Sequence, residues 1–205
     1  MTETTQEAQW VQAAKRGDQD AFESLVHQYE KKVFALTQRI CGNPDDAAEA
    51  AQDAFLSAWQ GLPFFRGDSS FSTWLFRLSY NACINLLRRE NRHRTAAGGS
   101  LDDEALRLDA PDPAATPHES LERLELRDEI EAGLQALTPE HREVLVLREI
   151  HQLSYDEIAD TLELDVGTVK SRISRGRKQL RNFLLQKGNF FAPPASKKLD
   201  KEGCR

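Results

Sequence analysis

Long apolar runs are missing from this sequence. No stretch approaches the roughly 18 apolar residues that a membrane-crossing helix needs, so no membrane insertion is expected. The opening residues MTETTQEAQW offer neither a basic start nor an apolar core, which leaves no secretory signal to expect. Cysteine is scarce and odd in number. Cys41, Cys83 and Cys204 form no CxxC pair, which argues against a disulfide framework and for free thiols in a reducing cytosol. Glycine and proline are few and alternating β-branched runs are nearly absent, so an all-α class is expected and sheet-based enzyme folds are disfavoured. No Gly-rich phosphate loop and no nucleophile–base arrangement is visible. The residues therefore support neither an enzyme nor a cofactor, and no metal is expected.

Positive charge is also in deficit, at 27 Lys and Arg against 33 Asp and Glu. Yet VGTVKSRISRGRKQLR, from Val166 to Arg181, holds six basic residues and no acid. At 100° per residue, Val169, Ile173, Gly176 and Leu180 fall on one narrow face. Lys170, Ser171, Ser174, Arg175 and Lys178 fall opposite, and Arg172 and Arg177 flank the seam. Upstream, LSYDEIADTLELD pairs Ser154 with Glu157 at capping-box spacing, so a short helix is expected there. Asp165 is placed to cap the basic helix. Two short helices, a tight turn and a cationic second helix describe a helix-turn-helix, whose second helix enters the major groove. Lys170, Ser171 and Arg175 are placed for base edges. Arg172, Arg177 and Lys178 suit phosphates, and Thr168 and Ser174 complete the expected DNA-facing set. Before this motif, Thr138 and Pro139 signal another helix start in LTPEHREVLVLREI, with Val144, Leu145, Leu147 and Ile150 as its apolar residues.

Composition divides the chain into two small helical domains on a tether. Residues 1–92 hold all three Trp, and residues 120–186 hold the basic helix. Between them, residues 93–119 have tandem Gly, three Pro and excess acid, as expected of a flexible linker. Residues 187–205 look like a flexible tail.

In the first domain, FSTWLFRLSYNACINLLRR has two apolar faces, one with Phe71, Leu75 and Leu86 and one with Phe76, Tyr80 and Cys83. Between them runs a stripe of Trp74, Arg77, Asn81, Asn85 and Arg88. A ring, two amides and two guanidiniums suit single-stranded nucleic acid, through stacking, base-edge bonds and phosphate contacts respectively. The preceding loop LPFFRGDSSFS adds Phe64, Phe65, Arg66, Ser69 and Ser70, and its two aromatics are placed to clamp an extruded base. Ordinary packing accounts for such aromatics as well, and the residues alone leave both readings open. In DDAAEAAQDAFLSAWQGL, Ala48, Ala51, Phe55, Ala58, Trp59 and Leu62 are expected to be buried. Asp45, Glu49, Gln52, Asp53, Leu56 and Gln60 form an exposed acidic face with one protruding Leu, suited either to solvent or to a basic helical partner.

Five segments, in order, resemble the extracytoplasmic-function (ECF) group of the sigma-70 family of bacterial sigma factors. They are GDQDAFESLVHQYEKKVFAL, DDAAEAAQDAFLSAW, FRGDSSFSTWLFRLSYNACINLLRR, LTPEHREVLVLREIHQLSYDEIADTLEL and VGTVKSRISRGRKQL. The resemblance implies that the first domain is region two. It would bind the β′ clamp helices of RNA polymerase core through the helix of Glu49, Gln52, Asp53 and Leu56, and capture a −10 base through residues 64–70 and Asn81. The second domain would be region four, binding the −35 duplex through Lys170, Ser171 and Arg175 and docking on the β flap. An inhibitory anti-sigma factor and a cytoplasmic location are further implications. Ala50 and Ala51 stand where the family often has larger apolar residues.

The expected linker, His93 to Glu119, reaches roughly 90 Å at about 3.3 Å per residue. That exceeds the roughly 55 Å of a spacer of about 16 base pairs. Its acids Asp102, Asp103, Asp109 and Asp112 suit a basic polymerase channel. A stand-alone helix-turn-helix regulator is the rival reading, but it gives the Arg77/Asn81/Asn85/Arg88 stripe nothing to do. A thiol or metal sensor built on the cysteines and five His matches no ligand spacing.

Overall fold

The computed structural model describes residues 3–97 and 117–187. The centre of the expected linker, with Asp102, Asp103, Asp109 and Asp112, and the tail with Cys204 lie outside the described residues. Those described form helices α1 (Glu3–Ala14), α2 (Gln19–Cys41), α3 (Pro44–Gly61), α4 (Phe71–Ala97), α5 (Pro117–Gln135), α6 (Pro139–Leu145), α7 (Tyr155–Leu162) and α8 (Val166–Lys187). No strand occurs among them, in keeping with the expected all-α class. Helix α4 runs five residues past Arg92, into the segment read as linker.

Local chemistry sets the helix limits. Asp18 caps α2 by accepting the Ala21 amide at 3.1 Å, and Gly42 ends it in the left-handed region at φ 88°. Asn43 then caps α3, with Pro44 at its first turn. Along α2, Leu25, Tyr29, Val33, Leu36 and Ile40 recur every three or four residues and are buried. On α3 the buried stripe is Ala47, Ala50, Ala51, Ala54 and Ala58. These small side chains let α2 and α4 close against the helix, so Ala50 and Ala51 belong to the core. Ala48 is exposed rather than buried, and Phe55 and Trp59 are half-buried. The apolar residues at the start of α3 are all alanines, whose small side chains mark its inward face only weakly.

Both apolar faces of α4 are covered. One packs on α2 and α3. The other meets the C-terminal helices: the Phe76 and His151 rings lie 4.4 Å apart, and the Tyr80 hydroxyl bonds the Glu143 carboxyl. Arg39 pairs with Glu131 at 3.0 Å, and Gln135 Nε2 donates to the Arg39 carbonyl at 3.3 Å. The two helix groups thus touch along α2 and α4.

In the C-terminal group, α6 widens into a π-turn over Val146–Ile150. Val144, Leu145, Val146 and Leu147 are buried there, while Ile150 is 38% exposed. The Thr138 hydroxyl makes no backbone cap and lies 3.0 Å from His141 Nδ1. Ser154 and Glu157 form the expected capping box at the start of α7. Glu163, at φ 54°, turns the chain toward Asp165 and α8.

Candidate nucleic-acid interface

The cationic helix is held by its apolar seam. Val169 and Ile173 are buried, and a Cβ on Gly176 would lie 3.1 Å from the Leu145 side chain, so glycine permits the close approach of α6. Lys170, Ser174, Arg175 and Lys178 are exposed and carry no ion pair among the described residues. The rest of the expected set is committed within the chain. Asp165 accepts the Thr168 amide at 2.8 Å and the Thr168 hydroxyl, bonds that hold its carboxyl below the usual range. The Ser171 hydroxyl donates to the Thr168 carbonyl at 2.9 Å. Arg172 pairs with Glu140 at 3.3 Å, and Arg177 donates twice to Glu149 Oε1, at 2.9 and 2.6 Å. Lys170 Nζ stands 5.7 Å from the centre of the Tyr155 ring, which also carries Arg148 at 4.7 Å.

On α4, Arg77, Asn81, Asn85 and Arg88 stand exposed in one row. Trp74 does not share that exposure. Its ring packs 4.9 Å from Phe65 and 5.8 Å from Phe71, and a Cβ on Gly61 would lie 3.2 Å from it. The adjacent aromatics therefore divide: Phe65 joins this cluster, while Phe64 is 83% exposed. The loop turns at Gly67 (φ 83°) beside exposed Arg66. The Ser70 hydroxyl accepts the Thr73 amide at 3.0 Å and so starts α4, and the Ser69 hydroxyl donates to the Ser70 carbonyl. One bond had no sequence signal. Lys15 Nζ donates to the Phe65 carbonyl at 2.6 Å, across fifty residues of chain.

The third surface is the outer face of α3. Asp45, Glu49, Gln52, Asp53, Leu56 and Gln60 are all exposed, Leu56 by 52%. Glu49 is engaged by Arg89. Beside Leu56 opens a groove of about 390 Å³ that Gln19 and Phe22 of α2 share with Phe55 and Trp59. Periodicity within α3 alone could not reveal a groove that another helix helps to build.

Among the described residues no group of three or more His, Cys, Asp or Glu is arranged to hold a metal. No described helix is long and apolar enough to cross a membrane. Cys83 is fully buried; a hydrogen bond with Cys41, together with burial, pushes its thiol far up, away from the reactive thiolate.

Residues 25–93 match the family model described as Sigma-70 region 2, and residues 127–180 match that for Sigma-70, region 4. The RNA polymerase sigma-H factor of Pseudomonas aeruginosa is 39% identical, over 85% of this chain and 92% of that protein. The ECF RNA polymerase sigma factor SigW of Bacillus subtilis is 35% identical, over 85% and 94% respectively. Among solved structures, CnrH in complex with the cytosolic domain of CnrY aligns with a TM-score of 0.60 and 29% identity, over 89% of this chain and 99% of that one. The fold is also that of the sigma factor RpoE, solved with the anti-sigma factor NepR from Bartonella quintana. There the TM-score is 0.66 at 21% identity, over 82% of this chain and 98% of that one.

Proposed function

Because the chain belongs to the ECF group of sigma-70 RNA polymerase sigma factors, we propose that it divides promoter recognition between its two helix groups. Helix α8 takes the −35 element as duplex. Lys170 and Arg175 meet base edges, Lys178 meets phosphate, and Arg172 and Arg177 exchange Glu140 and Glu149 for phosphates on binding. The α4 row takes the opened −10 strand, with Phe64 as the stacking ring, Asn81 and Asn85 at base edges, and Arg77 and Arg88 on the backbone. The exposed face of α3 meets the clamp helices of the polymerase, and the C-terminal helices reach its flap. An anti-sigma factor competing for that α3 face would cover Leu56 and its acidic neighbours. The chain supplies binding energy and strand capture, while phosphodiester chemistry stays with the polymerase. On this reading the two domains are the region-two and region-four groups, α1–α4 and α5–α8.

The observation that carries this reading is that one chain exposes two chemically different nucleic-acid surfaces. One is a cationic helix free of acid, and the other combines a row of exposed amides and guanidiniums on α4 with an open ring, Phe64, in the loop that leads into that helix. A stand-alone regulator uses only the first. The test is a holoenzyme carrying Phe64→Ala with Asn81→Ala. Each stacked base is worth about 1–3 kcal/mol by such truncation. Promoter opening should therefore fall at least tenfold while −35 duplex binding holds; unchanged opening would remove α4 from the site.

A further inference from the structure

The Phe64–Ser70 loop carries the exposed ring, yet few bonds among the described residues hold it in place. Phe65 N–H donates to the Leu62 carbonyl at 3.1 Å, and Ser70 begins α4. Between these the chain turns at Gly67 without a further backbone–backbone bond among the described residues. The remaining tether comes from the other end of the domain, where Lys15 Nζ reaches the Phe65 carbonyl. Lys15 sits on a firm base. It follows directly on α1, its amide donates to the Val11 carbonyl at 3.0 Å, and Val11 and Ala14 are buried. Glu7 fixes α1 to α2 by accepting the Tyr29 hydroxyl at 2.6 Å and the Gln28 amide at 3.0 Å. Gly17, at φ 92°, lets the chain reverse two residues after Lys15.

We infer that Lys15 is a positioning residue for strand capture: with the Phe65 ring packed on Trp74 and Phe71, its ammonium pins the Phe65 carbonyl and so fixes the backbone from which Phe64 is presented toward the Arg77/Asn81 row. This rests on the reading of that row as the −10 single-strand surface. An ammonium–carbonyl bond is stronger than a neutral one and directional enough to fix the peptide plane. With the Phe65 N–H already bonded to the Leu62 carbonyl, both peptide planes flanking Phe65 are then fixed, and the upstream plane carries Phe64. Without the bond, the Phe65 ring keeps its aromatic neighbours, so the domain stays folded while the peptide gains freedom to rotate. Loss of positioning then appears in strand capture rather than in folding.

The experiment uses the full chain with bacterial core polymerase on a promoter whose start site the wild-type chain has been shown to direct. Opening is read by permanganate reactivity of −10 thymines. Lys15→Met should reduce opening by roughly fivefold or more, as expected for losing a hydrogen bond to a charged group. Core polymerase binding and the thermal midpoint should stay near wild type. Lys15→Arg, which still reaches the carbonyl, should recover most of the opening. The salt dependence of binding to a −10 single strand should be the same in all three proteins. A flatter salt slope for Lys15→Met would show a direct phosphate contact and overturn the positioning role. A parallel loss of polymerase binding would overturn it as a general packing effect. If Lys15→Met opens the promoter as well as an active wild type, this inference alone fails. A wild-type chain that opens no promoter removes the site reading and the inference together.

Discussion

Part of the positive charge on α8 is already engaged before DNA arrives. Arg177 lies against Glu149 with two donors on one oxygen, and both side chains are about half exposed. Such exposed pairs are worth about 0.2–1 kcal/mol, so a phosphate can displace the carboxylate at small cost. Glu149→Gln should therefore raise duplex affinity about two- to fivefold at low salt, with the gain shrinking as salt rises; fluorescence anisotropy of the full chain checks this. His151 gives a pH dependence. Burial, helped by Arg39 and Lys32, pulls its pKa down from 6.5 to about 4. Between those values an unfolded or separated state binds more protons than the closed one, so stability rises with pH there. The packing around His151 is complete at neutral pH, weakens as pH falls through 6.5, and weakens no further below about 4. The whole shift amounts to at most about 3 kcal/mol. Glu143, raised by burial in the same interface, works with the opposite sign. Urea midpoints at pH 7 and pH 5 should therefore fall further for the wild type than for His151→Leu.

Among the elements, α8 was the most legible in the sequence. Its apolar and basic residues differ strongly and repeat at helical spacing, so seam, cationic face and Asp165 cap all emerge from pattern. Gly176 belongs to that pattern because the seam needs a gap. Filling it with Gly176→Leu forces α6 and α8 apart at Leu145 and His141. Overpacking of this kind costs about 1–3 kcal/mol, so the thermal midpoint should drop by several degrees. The start of α3 was less legible. Its apolar residues are all small alanines, which mark a face only weakly, and packing against α2 and α4 chose Ala47 over Ala48. The loop before α4 was ambiguous for another reason: Phe64 and Phe65 are adjacent, irregular backbone has no period, and only the Trp74 and Phe71 rings decide which one turns inward. Arg39–Glu131 and Lys15–Phe65 join residues far apart in the chain, and no local spacing announces such partners.

For the molecule as a whole, the two helix groups touch through Phe76–His151, Tyr80–Glu143 and Arg39–Glu131. Reading two promoter elements roughly 55 Å apart requires those pairs, and the bond from Gln135 to the Arg39 carbonyl, to separate. The segment between Ala97 and Pro117 spans at most roughly 65 Å at about 3.3 Å per residue. That still covers the distance, with less slack than a tether running from His93 to Glu119 would give. Polymerase and DNA then cover the surfaces that opening uncovers, and tethering raises the effective concentration of the second binding event once the first is made. Each module alone is then a weak reader, and the pair on polymerase is a specific one. The direct measurement is to map transcript starts made by bacterial core polymerase with and without the purified chain. Discrete new starts, each abolished by altering either the −35 or the −10 segment, are the predicted result. No new start, together with tight operator binding by a dimer of the chain alone, would contradict it.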